Sequence, residues 1–176
     1  MYAIAFGQIA FERTMKIPWD ELRVNFDEHS SHGLVEDWTW LIGEDKTPIM
    51  ASSIGDLFLS DTDGKVHWLD IGAGVITLVA DGVEDFKEKL KDEALVNELF
   101  MVDVIAELKA TGINLKKGQI YSYKKLPVLG GDYSAENFEA IDMEVHFSFA
   151  GQIHRQVKDL PDGTKIGEVK FIPYKD

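Results

Sequence analysis

Between Gly55 and Leu90 the sequence GDLFLSDTDGKVHWLDIGAGVITLVADGVEDFKEKL admits few folds, because turn residues cut it into segments too short for anything but a tightly wound sheet followed by a helix. Leu57, Phe58 and Leu59 form an apolar run, and Asp63-Gly64 is a pair that tolerates positive φ in a hairpin turn. Val66 and Trp68 then fall on one face of a second strand, with His67 and Leu69 on the other. Gly72-Ala73-Gly74 provides another flexible reversal before Val75 to Val79. After this meander the apolar residues Val83, Phe86 and Leu90 recur at steps of three and four, which is the period of a helix.

The flanking chain extends the pattern. Pro18-Trp19-Asp20-Glu21 reads as a helix start, with Leu22 and Phe26 one turn apart and an end at His29-Ser30-Ser31-His32-Gly33. Trp38 to Gly43 reads as a strand of aromatic and branched residues, and Ile49 to Ser53 continues the sheet. Asp92 is placed to cap a second helix with an apolar stripe of Leu95, Leu99, Val102 and Ala106, ending at Gly112. Gly118 to Tyr123 alternates as a strand, and Pro127 to Gly131 reads as a loop. Phe138 to Val157 carries both periods, and the reading adopted is strand through about Ile141 and helix beyond. Leu160 to Gly163 ends that helix, and Gly167 to Ile172 reads as a final edge strand. Met1 to Phe11 has no period that decides between strand and helix. The expectation is one α+β domain over residues 1–176: an antiparallel-rich sheet with a central three-stranded meander and helices packed against it.

Composition narrows the chemistry. The absence of cysteine excludes disulfides, cysteine nucleophiles and thiolate zinc sites. Thirty-one acidic residues against eighteen basic ones give a formal charge of −13, which disfavours direct nucleic-acid binding and suits a basic partner. No apolar run approaches the roughly 20 residues of a membrane span, and the apolar N-terminus lacks the basic leader of a signal peptide, so the expected location is the cytoplasm.

Specific sites are hard to assemble. Asp61 and Asp63 invite a calcium loop, but a loop counted from Asp61 would place Val66 and Gly72 where glycine and glutamate are required, so turn chemistry is preferred. His29 and His32 have no further close ligand. His67, His146 and His154 are scattered singly and read as half-buried or surface residues. Neither a nucleophile elbow nor a dinucleotide-binding glycine motif is present. The sequence therefore presents no catalytic residues, no metal ligands and no cofactor site.

The string GDLFLSDTDGKVHWLDIGAG resembles the C-terminal domain family of type VI secretion immunity proteins that neutralise DNase effectors. Trp40-Leu41-Ile42-Gly43 with Pro48, Gly118-Gln119 with Pro127-Val128-Leu129-Gly130-Gly131, and Gly151-Gln152-Ile153-His154-Arg155-Gln156-Val157-Lys158-Asp159-Leu160-Pro161 are similar to the same family, so the likeness extends over about 38–170, with 1–37 as a short N-terminal extension. The resemblance implies an immunity protein that binds and neutralises a cognate toxin, with a nuclease as the expected target. It brings no catalytic residues with it. The alternative is a hydrolase or small-molecule-binding domain whose cleft gathers groups distant in sequence, such as His67, His146 and nearby carboxylates.

A toxin that grips phosphates presents cations, and from Asp81 to Glu107 this chain has nine acidic residues against three lysines. The expected partner-binding residues are therefore Asp61 and Asp63 on the hairpin turn with Glu84, Asp85, Glu88, Asp92 and Glu93. An ordinary solvated helix surface laced with ion pairs would show the same pattern.

Overall fold

The meander words become the middle of a five-stranded antiparallel sheet. A computed structural model describes residues 17–24, 33–161 and 163–171; readings that fell on 1–16, on Phe26, on His29 to His32, on Asp162 or on Ile172 lie outside them. The strands are β1 (Arg23–Val24), β2 (Thr47–Ser52), β3 (Leu57–Ser60), β4 (Val66–Asp70) and β5 (Val75–Ala80), in the order β1-β2-β3-β4-β5. Register follows the turns: Ser60 pairs with Val66 across the Asp61 to Lys65 hairpin, and Asp70 with Val75 across the glycine-rich reversal. A second sheet of two strands, β6 (Gln119–Tyr123) and β7 (Phe138–Asp142), joins the end of β2 through the Tyr121 amide, which donates to the Ser53 carbonyl at 2.8 Å.

The central strand explains why a helix follows the meander. Leu57, Phe58 and Leu59 are all fully buried although successive side chains of a strand point to opposite faces, so β3 is covered on both sides. On the Phe58 side its ring lies 5.0 Å from Phe86 of α3 (Val83–Lys89) and 5.2 Å from Phe100 of α4 (Glu93–Phe100). Trp19 of α1 (Trp19–Leu22) meets Phe100 edge-on at 5.2 Å. Each of these rings withdraws enough apolar area to dominate its neighbourhood energetically.

Four local expectations are corrected. The helix after Pro18 is a single turn, because Arg23 and Val24 already pair with Ser52 and Ala51. Trp38 to Gly43 is helical: a 3-10 stretch, Gly33–Trp38, runs into α2 (Thr39–Ile42), and Gly43 closes it at φ +76 with its amide on the Thr39 carbonyl. Tertiary docking overrides strand propensity there. Trp38 is completely buried and its indole N–H donates to the Phe147 carbonyl at 2.9 Å, on α6 (Met143–Val157), while Gly151 lets the same helix approach the Asp37 backbone.

The helix expected from Asp92 to Gly112 is two helices, α4 and α5 (Val102–Ala110), broken at Met101 with φ 49. At 3.6 residues per turn, Val96, Leu99 and Phe100 would lie about half a turn from Val102, Ile105 and Leu108 on one continuous helix. Both triplets are buried, so the left-handed residue re-aims the second set at the core. The predicted stripe of Leu95, Leu99, Val102 and Ala106 ran between the two. Finally, the described residues Gly167 to Phe171 form no strand. The Gln156 side chain of α6 takes both backbone groups of Lys170, accepting from its N–H at 3.1 Å and donating to its carbonyl at 2.8 Å, and Phe171 stacks on Phe149 at 4.7 Å. The remaining hard choice resolves as expected, into β7 followed by α6.

Candidate partner-binding surface

Acidic residues gather where the β3–β4 hairpin meets the start of α3. The sheet brings Val66 opposite Ala80, so the hairpin turn lies beside the β5–α3 connection, and a side chain on Gly82 would stand 4.0 Å from the Gly64 carbonyl. Asp61 organises the turn from within. One carboxylate oxygen accepts from the amides of Asp63 (3.0 Å) and Lys65 (2.9 Å), and the other lies 2.8 Å from His67 Nε2. The His67 hydrogen bond, reinforced by the two amides, holds its carboxyl below the usual carboxylate range. Asp63 sits at the exposed tip, followed by Gly64 at φ +81.

On α3 the apolar side is buried as its spacing required, with Phe86 and Leu90 inaccessible and Glu84 and Glu88 outward. Each acid has a lysine three or four residues on: Glu84 with Lys87 at 2.7 Å, Asp85 with Lys89 at 2.9 Å, and Glu88 with Lys91. Asp85 also accepts from the Asp81 amide at 3.0 Å, and Lys89 above all keeps its carboxyl below the ordinary range. Exposed pairs of this kind open readily to a stronger partner.

Asp92 and Glu93 stand apart, beyond the C-terminal end of α3. Asp92 is the N-cap of α4, accepting from the amides of Ala94 (2.9 Å) and Leu95 (3.4 Å). Asp92→Ala should therefore lower stability by about 1 kcal/mol, read from chemical unfolding, because the Ala94 and Leu95 amides of the first turn lose their acceptor.

The opposite end of the sheet carries a buried polar girdle that the sequence did not reveal. His146 and His154, expected half-buried or at the surface, are both buried on α6. His146 donates from Nε2 to the Gly55 carbonyl at 3.0 Å and accepts at Nδ1 from the Ser122 hydroxyl, 2.8 Å away. Burial pushes its pKa down to about 4, so it is the neutral ring that makes these bonds. His154 donates from Nε2 to the Ile71 carbonyl at 2.9 Å. Asp56 links the two turns, accepting from the Ile71 amide at 2.9 Å and the Trp68 indole at 3.1 Å. The glycines Gly55, Gly72 and Gly74 are the only outward signal of this packing, each lying against His146, Tyr123 or His154.

The groups proposed to converge in a cleft do not share one. His67 is tied to Asp61 at the acidic end, whereas His146 is tied to Gly55 and Ser122 at the other. A groove of about 660 Å³ lies between Arg23, Ser53, Lys109, Lys116 and Tyr121, and a smaller one of about 340 Å³ between Trp40, Gly74, His154 and Pro161. Neither includes His67 or His146.

Residues 80–154 match the family described as T6SS immunity protein Tdi1, C-terminal. The family is one of type VI secretion system immunity proteins. The matched span begins at the last residue of β5 and contains α3, α4, α5, β6, β7 and α6 as far as His154. It takes in Gly118-Gln119, Pro127 to Gly131 and Gly151 to His154, and starts after the meander string. The crystal structure of Atu4351 from Agrobacterium tumefaciens shares the fold, with a TM-score of 0.52 at 19% identity over 69% of this chain. This chain spans 62% of that one. No curated protein matches it in sequence. Among the described residues no helix is long and apolar enough to cross a membrane.

Proposed function

We propose that this chain is an immunity protein that binds a secreted nuclease toxin of a type VI system in the cytoplasm and neutralises it by occupation, without catalysis. The Tdi1 family match over 80–154 carries the reading, and the acidic hairpin and α3 within a chain of charge −13 give it a mechanism. A nuclease must concentrate lysine and arginine where it holds phosphates. Carboxylates on Asp63, Glu84, Asp85 and Glu88, with Glu93 further along, compete for those cations, while Asp61, tied to two amides and His67, shapes the turn that presents Asp63, and Asp92 holds the start of α4. Ion pairs with Lys87, Lys89 and Lys91 exchange for toxin contacts at small cost.

The test has two levels. Co-expression with the nuclease captured on this chain from its native host should restore growth in cells making that nuclease, and the purified pair should associate with a rate that falls as salt rises. Reversing Glu84 and Glu88, which face water, together with the partly exposed Asp85 to lysine should slow association about tenfold or more at low salt and flatten its salt dependence. The Asp85 change also gives up the Asp81 amide and should lower stability by about 1 kcal/mol, so the pair Glu84→Lys with Glu88→Lys, with thermal unfolding little changed, serves as the control. No rescue and no binding by the wild type would remove the immunity reading. An unchanged association rate for the folded double and triple variants would remove only the acidic-face mechanism.

A further inference from the structure

Strand β5 is an edge of the five-stranded sheet, and among the described residues no strand covers its outer side. The opposite edge, β1, is two residues long, whereas β5 runs for six as VITLVA and pairs only with β4 among the described residues. Natural edge strands of this length are blunted by lysine, proline, a bulge or a covering element, since their free backbone groups template pairing with another chain. The far end is protected: a bulge at Val79 interrupts the pairing between Leu78 and Ala80, Lys89 donates to the Val79 carbonyl at 3.1 Å, and α2 and α3 touch the strand. The stretch Val75 to Leu78 keeps no charge and no proline, and Val75 and Leu78 remain 47% and 49% exposed.

We propose that Val75 to Leu78 is the docking line for a basic extended segment of the toxin, which adds to the sheet as a sixth strand. This rests on the toxin-binding reading. Charge selects the occupant: from Val66 to Phe86 the chain contains no lysine or arginine, and acids stand at both ends of β5, Asp70 before it and Asp81 and Glu84 after it. A second copy of this chain fits poorly, because antiparallel pairing of two β5 strands sets the Asp70 end of one against the Asp81 end of the other. A strand with cations at its ends and apolar residues between them places positive charge near those carboxylates, and its alternating side chains cover Val75 on one face of the sheet and Leu78 on the other. Backbone pairing then supplies the affinity and the side chains the selection.

The test uses the full chain and a catalytically inactive form of the nuclease captured on it from its native host. Val75→Lys with Leu78→Lys places edge-guarding cations on exposed positions, so the fold should be retained, while binding to the toxin should weaken at least about tenfold. Hydrogen exchange provides a second readout: outward amides within 75–78 should exchange fast in the free chain and slowly in the complex. A complex that leaves these amides unprotected, or a double-lysine variant that binds as the wild type does, overturns the edge proposal while leaving the toxin-binding reading standing. Protection of 75–78 already present in the free chain overturns it as well, since the edge is then occupied by the chain itself or by a second copy. Absence of any wild-type binding overturns both.

Discussion

Gly74→Ala should destabilise the protein by about 3 kcal/mol or more, a fall in melting temperature of roughly 6 to 12 °C for a chain of this size. Two independent costs meet at that position. Gly74 has φ +67, where a side chain is strained, and an added Cβ would stand 2.2 Å from Nδ1 and 2.5 Å from Cε1 of His154. The imidazole cannot swing away freely. Its Nε2 is bonded to the Ile71 carbonyl, its ring lies 5.4 Å from that of the inaccessible Trp38, and the residue is only 4% exposed. The backbone strain persists when the ring is removed, whereas the collision does not. In a thermal-unfolding cycle, Gly74→Ala should therefore cost measurably less in a His154→Ala background than in the wild type. Equal costs in both backgrounds would show that the turn yields without pressing on α6.

That packing shows where the sequence was legible and where it was not. The turns at Asp63-Gly64 and Gly72 to Gly74 were readable because hairpin geometry depends on local φ preference, which two residues suffice to express. The α3 helix was readable because three apolar residues at steps of three and four were aligned with its actual buried face. Trp38 to Gly43 was misread because its conformation is decided by a partner more than a hundred residues away: the Trp38 indole must reach the Phe147 carbonyl. The break at Met101 was missed because Leu95, Leu99, Val102 and Ala106 make a self-consistent stripe; of these Leu99 and Val102 are buried, but only the three-dimensional core shows that Val96, Phe100, Ile105 and Leu108 join them on two differently aimed faces. The edge strand of 167–172 was expected from composition, whereas the Gln156 amide, supplying one donor and one acceptor to Lys170, takes the place of a strand partner.

At the surface the contrast is sharper. Nine acids between Asp81 and Glu107 were countable in the sequence, but their grouping was not. The sheet register brings the Asp61 to Lys65 turn beside the start of α3 and leaves Asp92 and Glu93 at its other end, where Asp92 is occupied as a helix cap. Exposure of β5 was equally hidden, since VITLVA reads as an ordinary strand until the order of strands shows it to be last.

Stability should decline as pH rises from 6.5 to 8, and Asp56 should be the cause. The Asp56 side chain is withdrawn from water, and burial first, then the nearby charge of Asp70, pushes its carboxyl up to about 8 from an ordinary 3.8, against the pull of the Ile71 and Trp68 hydrogen bonds. A carboxyl raised on folding contributes stability that is complete below the unfolded value and is lost as pH climbs towards the folded one. His146 acts in the opposite sense: burial lowers it from 6.5 to about 4, so its contribution is complete above 6.5 and is lost as pH falls through 4. Between about pH 4 and 6.5 the two proton differences cancel. Above 6.5 both folded and unfolded His146 are neutral, and the lowered His154 is silent for the same reason. Among the described residues with a displaced pKa, Asp56 is then the one that still changes its proton count, with a slope that starts near ~1.4 kcal/mol per pH unit and halves by pH 8, or about 1.6 kcal/mol across the window. Urea unfolding at half-unit steps reads this directly. Asp56→Asn removes the proton and should flatten the slope, even though it lowers the whole curve by about 1 to 3 kcal/mol, because its amide sets a donor against the Trp68 indole or the Ile71 N–H. Level and slope are separate observables: a variant that is less stable yet keeps the wild-type decline from pH 6.5 to 8 would place the titrating group elsewhere than Asp56.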